Sequence, residues 1–360
     1  MIRARRFMRE GGAMRRSSNG IRGPILRAAG GLSLVVILFA AGCSSASTSS
    51  RATTSSTIRT SPVASQVPSP SLASASTARG CPSTACSTVL HEVELGTRTT
   101  TLPGDLAPPL QNALADLRMP PGYEQCDGSA SLANTPNCII GSPTATKRIV
   151  LFGDSHAKMW STSMAAIAAA SHSSLLLLVH AGCPVSNVAY GGGVLPYATC
   201  SAWIQWAIHR MAAYSPTLVV VTTFGAGQLA PNGTQVPPSV SEAGLAAVLK
   251  EVASPGRRLA LIGDIPYLSQ DGRICLAAHS SNVQACSTPT GQAVRSAGDT
   301  AQEQATASVG GSYVDVVPWF CTATVCPAVI GHYGVYENRF HATATYASSL
   351  APLLQNALNP

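Results

Sequence analysis

Gly153-Asp154-Ser155-His156 directly follows the apolar run Ile149-Val150-Leu151-Phe152, and its residue types suit covalent chemistry better than any other segment of the chain. A hydroxyl that ends a strand and heads a helix lies beside backbone N–H groups with no intrahelical acceptor. Such donors can hold the oxyanion of an acyl-transfer reaction. Serine alone is a poor nucleophile, so a base must reach it. Among the eight histidines, His341 suits that role best, because it follows the last expected strand and precedes the last expected helix. Its loop therefore returns to the same edge of the sheet. His332 is the second choice on the same terminal stretch; His91 lies in an N-terminal extension and His279 in a cysteine-bounded loop. His172, His180 and His209 fall in or beside expected helices and strands. The plainer alternative is that Asp154 or Ser155 caps a helix and His341 merely begins one. Asp154, His156 and Asp264 are not spaced as a ligand set, so the sequence calls for no metal and no cofactor; Asp264 reads as a loop residue at the active edge.

The elements that must position these residues are legible as short apolar runs alternating with helical stretches. The runs cover 148–152, 174–179, 218–222, 258–262 and 313–316; the helical stretches cover 158–170, 201–213, 239–252, 292–307 and 342–358. Continuous apolar strands separated by helices demand a parallel sheet covered on both faces. The expected fold is a doubly wound α/β sandwich of about five parallel strands, three layers deep and flavodoxin-like. In such a sheet, binding and catalytic groups collect at the carboxyl ends of the strands, where Ser155 is placed. Residues 80–147 are interrupted by Pro103, Pro108, Pro109, Pro120, Pro121 and Pro136, with one short helix expected at 110–117. They read as an extension packed on a main domain spanning 148–360.

The first 43 residues read as an export signal, basic at the start and apolar from Leu32 to Ala41. The apolar run is too short for a permanent membrane span. It ends Ala40-Ala41-Gly42-Cys43, small residues before a cysteine, as in bacterial lipoprotein signals that acylate that cysteine. Ordinary secretory cleavage nearby is the alternative. Residues 44–79 are Ser, Thr, Ala and Pro with almost no large apolar side chain, the composition of a tether. The formal charge of +7 is concentrated in the leader, and the remainder is nearly neutral, which removes the electrostatic case for nucleic acid. Ten further cysteines form sequential couples: Cys81 and Cys86, Cys126 and Cys138, Cys183 and Cys200, Cys275 and Cys286, Cys321 and Cys326. In an exported chain these imply disulfides between neighbours, with zinc as the alternative.

Several further pieces stand in a fixed order around these: Cys138-Ile139-Ile140-Gly141, Gly182-Cys183-Pro184, Cys200 with Trp203, Pro266 to Cys286, Asp315, Phe320-Cys321, Cys326-Pro327 and Tyr336 to His341. From about residue 110 to the C-terminus the chain resembles the SGNH hydrolase superfamily, most closely the SGNH domain found fused to acyltransferase-3 proteins of bacterial surface-polysaccharide O-acylation. The resemblance implies Ser155 as nucleophile and His341 as base, with the Ser155 N–H and Gly182 in the oxyanion hole. Asp154 and His156 flank the hydroxyl on the oxyanion and substrate side. Two departures stand out. The superfamily places aspartate three residues before the histidine, where this chain has Asn338. Three arrangements stay open: Asn338 orients the imidazole, Glu337 substitutes, or Ser155 and His341 act as a dyad. The oxyanion asparagine expected after the third strand is replaced by Thr222-Thr223-Phe224-Gly225, where threonine hydroxyls are the available donors.

The resulting expectation is an extracytoplasmic esterase or O-acyltransferase acting on acyl esters of envelope glycans or on small esters. It would be held to the membrane by a lipid anchor and supplied with acyl groups by a separate membrane acyltransferase. The rival from another class is an inactive surface lipoprotein on the same scaffold that binds glycan or a protein. A periplasmic ligand-binding protein fits less well, since such proteins need two similar lobes.

Overall fold

The computed structural model describes residues 83–128, 138–142, 144–192, 195–225 and 228–360. The signal segment, Cys43, the tether and Cys81 lie outside the described residues.

The described residues begin with helix α1 (Thr84–Gly96) and a single helical turn α2 (Leu110–Ala113), followed by the edge strand β1 (Ile139–Ile140). The alternating part then runs β2 (Arg148–Gly153), α3 (Ser155–Ala170), β3 (Ser174–Val179), α4 (Tyr197–Tyr214), β4 (Leu218–Thr222), α5 (Pro238–Val252) and β5 (Arg258–Ile262). After it come α6 (Gly272–Ala278), β6 (Thr288–Pro289), α7 (Thr290–Ala293), α8 (Ser296–Ala307) and β7 (Ser312–Val314). The last stretch holds β8 (Val325–Cys326), β9 (Val329–Ile330), β10 (Tyr333–Gly334), α9 (Ala344–Ser349) and α10 (Ala351–Leu358).

Six strands make one sheet in the order β1-β3-β2-β4-β5-β7. Five are parallel, and β1 adds antiparallel to the edge of β3. The parallel order is that of a flavodoxin-like sheet, with its switch point between β2 and β4. Every residue of β3 and β4 is buried, which is why these strands read as unbroken apolar runs. Helix α3 packs with α9 and α10, while α5 packs with α4 and α8. Trp203 of α4 meets Phe152 of β2 at 5.4 Å between ring centres.

The boundaries differ from the sequence expectation for local reasons. Helix α3 starts at Ser155 and not at 158, because Asp154 Oδ1 accepts the His156 N–H at 2.8 Å and caps it. The last helix breaks into α9 and α10, with Pro352 in the first turn of α10. The helix expected at 292–307 is divided, because the Ala293 carbonyl accepts from Tyr267 N–H instead of continuing the helix. Strand β7 stops at Val314, where Asp315 accepts from the Val317 N–H and Pro318 follows. Helix α1 is an element the proline-rich extension hid; its Val93 is buried and it packs on β9 and α10. Its helical propensity is modest, so tertiary packing holds it.

Neighbouring cysteines pair as Cys126–Cys138, Cys183–Cys200, Cys275–Cys286 and Cys321–Cys326. Cys86 is disulfide-bonded as well. Among the described residues no helix is long and apolar enough to cross a membrane.

Gly153 is where the sheet presses hardest on the site. A Cβ there would lie 1.8 Å from the Thr222 carbonyl oxygen and 2.9 Å from the Ala157 Cβ. Gly153→Ala is therefore expected to break the β2–β4 pairing and yield little soluble protein. A circular-dichroism melt of that variant superimposable on the native one would contradict this.

Candidate active site

The turn from β2 into α3 sets Ser155 at the first helical position, with its hydroxyl at the carboxyl end of the sheet. From the far end of the chain, the turn between Tyr336 and Ala342 brings in His341. His341 Nε2 lies 2.8 Å from Ser155 Oγ, within reach for proton transfer. The histidine is 8 % exposed. Burial, and then the nearby His156, push its pKa down to about 3. Its imidazole is consequently neutral near pH 7, as a general base must be.

Asn338 fills the space behind His341. Its Oδ1 accepts from the backbone N–H groups of Phe340 and His341, each at 2.9 Å. Those two donors fix the direction of the amide, so Nδ2 is the atom 2.9 Å from His341 Nδ1. An amide N–H donates, so Nδ1 accepts and the imidazole proton sits on Nε2. Glu337 lies close by with Oε2 3.9 Å from Nδ1.

Beneath this pair is a second histidine and carboxylate. His156 is fully buried, with Nδ1 2.8 Å from Asp264 Oδ1. Burial favours its neutral form, but Asp264 and then Asp154 outweigh that and raise its pKa. The His156 ring lies 5.1 Å from the His341 ring, and a positive charge on it opposes a second one there. Asp264 also accepts from the Gly225 and Ile265 N–H groups and from the Tyr267 hydroxyl. Asp154 accepts from Thr223 Oγ1 at 3.0 Å and from the Phe224 N–H at 2.8 Å, clamping the loop after β4 to the start of α3.

A family model for the SGNH domain fused to AT3 domains matches residues 125–356. The chain belongs to the SGNH family. No curated protein matches it in sequence. Among solved structures, the periplasmic domain of a lipopolysaccharide acetyltransferase from Salmonella ser. Paratyphi A aligns with a TM-score of 0.53 at 15% identity. That alignment covers 71% of this chain and 98% of that domain, a likeness of fold. A carbohydrate esterase family 2 enzyme with a carbohydrate-binding domain, from Corynascus thermopiles, aligns at 13% identity over 61% of this chain and 68% of its own, with a TM-score of 0.36.

Within this SGNH domain the expected oxyanion donors are unequally placed. Gly182 follows β3 in a left-handed conformation (φ 81°), and β3 lies beside β2, the strand that leads into Ser155. The Cys183–Cys200 bridge ties its loop to α4. The threonines are not placed as donors to a substrate. Thr223 Oγ1 already donates to Asp154 and accepts from the Val185 N–H, and the Thr222 hydroxyl is sealed inside the sheet. Asp154 is likewise a clamp on the loop, and His156 a partner of Asp264. His332 stacks on Tyr333 at the start of β10.

Sequence reading passed over Asp264 as a loop residue, and it passed over Gln302, Phe224 and Tyr267. Gln302 accepts from the Asp264 N–H and donates to the Thr223 carbonyl, joining the ends of β4 and β5. Phe224 stacks on Tyr267 at 5.7 Å, and exposed Phe340 meets both rings. Asp264 carried one usable signal: it follows β5 at the carboxyl edge of the sheet, where polar side chains seldom lack a role.

Proposed function

We propose that this SGNH domain is a serine acyl-transfer enzyme of the cell envelope that cleaves or moves acyl esters on glycans. The observation that carries the reading is the 2.8 Å approach of Ser155 Oγ to His341 Nε2, in a site that keeps the imidazole neutral. Ser155 Oγ attacks the ester carbonyl while His341 Nε2 takes its proton. The oxyanion of the tetrahedral intermediate accepts from the N–H groups of Ser155 and Gly182. His341 then returns the proton to the departing alcohol, leaving an acyl-serine. Water hydrolyses that ester, or a sugar hydroxyl takes the acyl group, and the two outcomes share the same first half.

Paired cysteines support an oxidising compartment outside the cytoplasm. The acetyltransferase domain with the same fold is periplasmic. In this proposal Cys43 carries the lipid anchor, residues 44–79 hold the domain off the membrane, and a separate membrane acyltransferase supplies acyl groups where transfer is the outcome.

The rival is a non-catalytic glycan-binding lipoprotein, favoured by the direction of the Asn338 amide. A serine-directed fluorophosphonate separates the two. The expected result is one adduct, mapped by mass spectrometry to the peptide bearing Ser155 and abolished by prior unfolding. No adduct, or label spread over surface serines, would favour the binder.

A further inference from the structure

For Nε2 of His341 to accept the Ser155 proton it must present a lone pair, and a neutral imidazole then carries its hydrogen on Nδ1. That N–H needs an acceptor. Asn338 offers a donor instead, because Oδ1 is held by the Phe340 and His341 N–H groups. Turning the amide over would point its N–H bonds at those two backbone donors and lose both hydrogen bonds. The resting arrangement therefore holds His341 as the tautomer that donates to Ser155, which is the wrong direction for a base.

One acceptor stands within reach. Glu337 is 4 % exposed, and its Oε2 is buried with no hydrogen-bond partner, 3.9 Å from His341 Nδ1. A buried polar oxygen left without a donor is costly and calls for an explanation. The backbone around it is fixed: the Glu337 N–H donates to the His341 carbonyl at 2.9 Å, and Tyr336 bridges Ala342. Side-chain motion of about 1 Å brings Oε2 to ordinary hydrogen-bonding distance from Nδ1.

We propose that Glu337, and not Asn338, is the carboxylate partner that makes His341 a base. Resting on the nucleophile reading of Ser155, this deepens it. The resting imidazole loses its Nε2 proton to solvent and takes one from solvent on Nδ1, which swings from the Asn338 amide to Glu337 Oε2. When Ser155 attacks, its proton goes to Nε2. The Nδ1 proton stays on the ring, hydrogen-bonded to Glu337, whose charge stabilises the imidazolium. Glu337 acts through His341, so it is a positioning residue.

A pH signature follows. Burial, and then Asp271, raise the Glu337 pKa, while Arg273 of α6 and Lys158 of α3 act against them. His341, with His156 beyond it, is the other titratable group on that side, and it stays neutral down to a pH of about 3. The acid limb of activity therefore reports Glu337: activity is present above its raised pKa and lost as the carboxylate is protonated.

The test measures kcat/KM for p-nitrophenyl acetate across pH with the full chain and Ser155→Ala, Glu337→Gln, Asn338→Asp and the Glu337→Gln/Asn338→Asp double variant. Glu337→Gln is expected to lose about 10²-fold or more and to lack the acid limb. Asn338→Asp is expected to raise activity, since one carboxylate oxygen can keep both backbone N–H groups while the other takes Nδ1–H. In that background Glu337→Gln should cost less than about threefold, because the new carboxylate replaces it. Glu337→Gln with the native rate and limb overturns the inference and leaves the nucleophile reading intact. Equal losses in both backgrounds with lowered Tm also overturn it, as a packing role. Native protein no faster than Ser155→Ala sinks the nucleophile reading and the inference with it.

Discussion

Ser155→Ala is expected to lower kcat/KM for p-nitrophenyl acetate by at least about 10²-fold, with the fold intact. The floor follows from two magnitudes. Removing the nucleophile of a serine protease costs about 2 × 10⁶-fold, and setting its histidine in the wrong tautomer costs about 10⁴-fold. A site governed by Asn338 alone would have already lost the second factor, leaving the hydroxyl about 10²-fold to contribute. With Glu337 as partner, the loss rises toward the larger figure. Folding should be unaffected, because Ser155 is only partly buried and Asp154, not Ser155, caps α3. Steady-state rates of the two proteins, purified side by side, decide the matter. Equal rates would leave a glycan-binding surface protein as the better account.

Asp264→Ala is expected to lower stability by about 3–5 kcal/mol, because it removes the carboxylate partner of the buried His156 ring 2.8 Å away. The same change strips the Gly225 N–H, Ile265 N–H and Tyr267 hydroxyl of their acceptor. For a domain of this size each kcal/mol is worth about 2–4 °C, so Tm should fall by about 6–20 °C. Thermal unfolding followed by circular dichroism gives the number. A shift under about 2 °C would show that the pair is not braced as the geometry indicates. Activity should fall too, since the loop after β4 is tied through Asp264 and Asp154 to the start of the nucleophile's helix.

How legible these features were depended on whether they were local. The strands at 174–179, 218–222 and 258–262 coincide with the apolar runs, because a strand buried on both faces is apolar throughout its middle and polar only at its ends. Pairing between neighbouring cysteines was similarly open to reading, since short separations leave little choice in a compact chain. Helix ends were not: the start of α3 at Ser155 depends on the Asp154 side chain turning back to the His156 N–H, and the break after Ala293 on a hydrogen bond from distant Tyr267. Helix α1 went unread because its sequence is no strong helix former and its support comes from β9 and α10 near the other end of the chain.

By itself, then, the sequence determined a parallel α/β sheet with a serine hydroxyl at its carboxyl edge and a histidine returning to it. Those follow from hydrophobic periodicity and from the rule that such sheets gather their chemistry at one edge. Tertiary structure alone decided which atom each of these meets. Asn338 turns its amide nitrogen toward His341 because two backbone N–H groups claim its oxygen. Glu337 keeps a buried oxygen free at 3.9 Å, and Asp264 crosses the sheet to hold His156. Hydrogen-bond direction and charge pairing are settled by partners far apart in the chain, and no pattern within a local window encodes them.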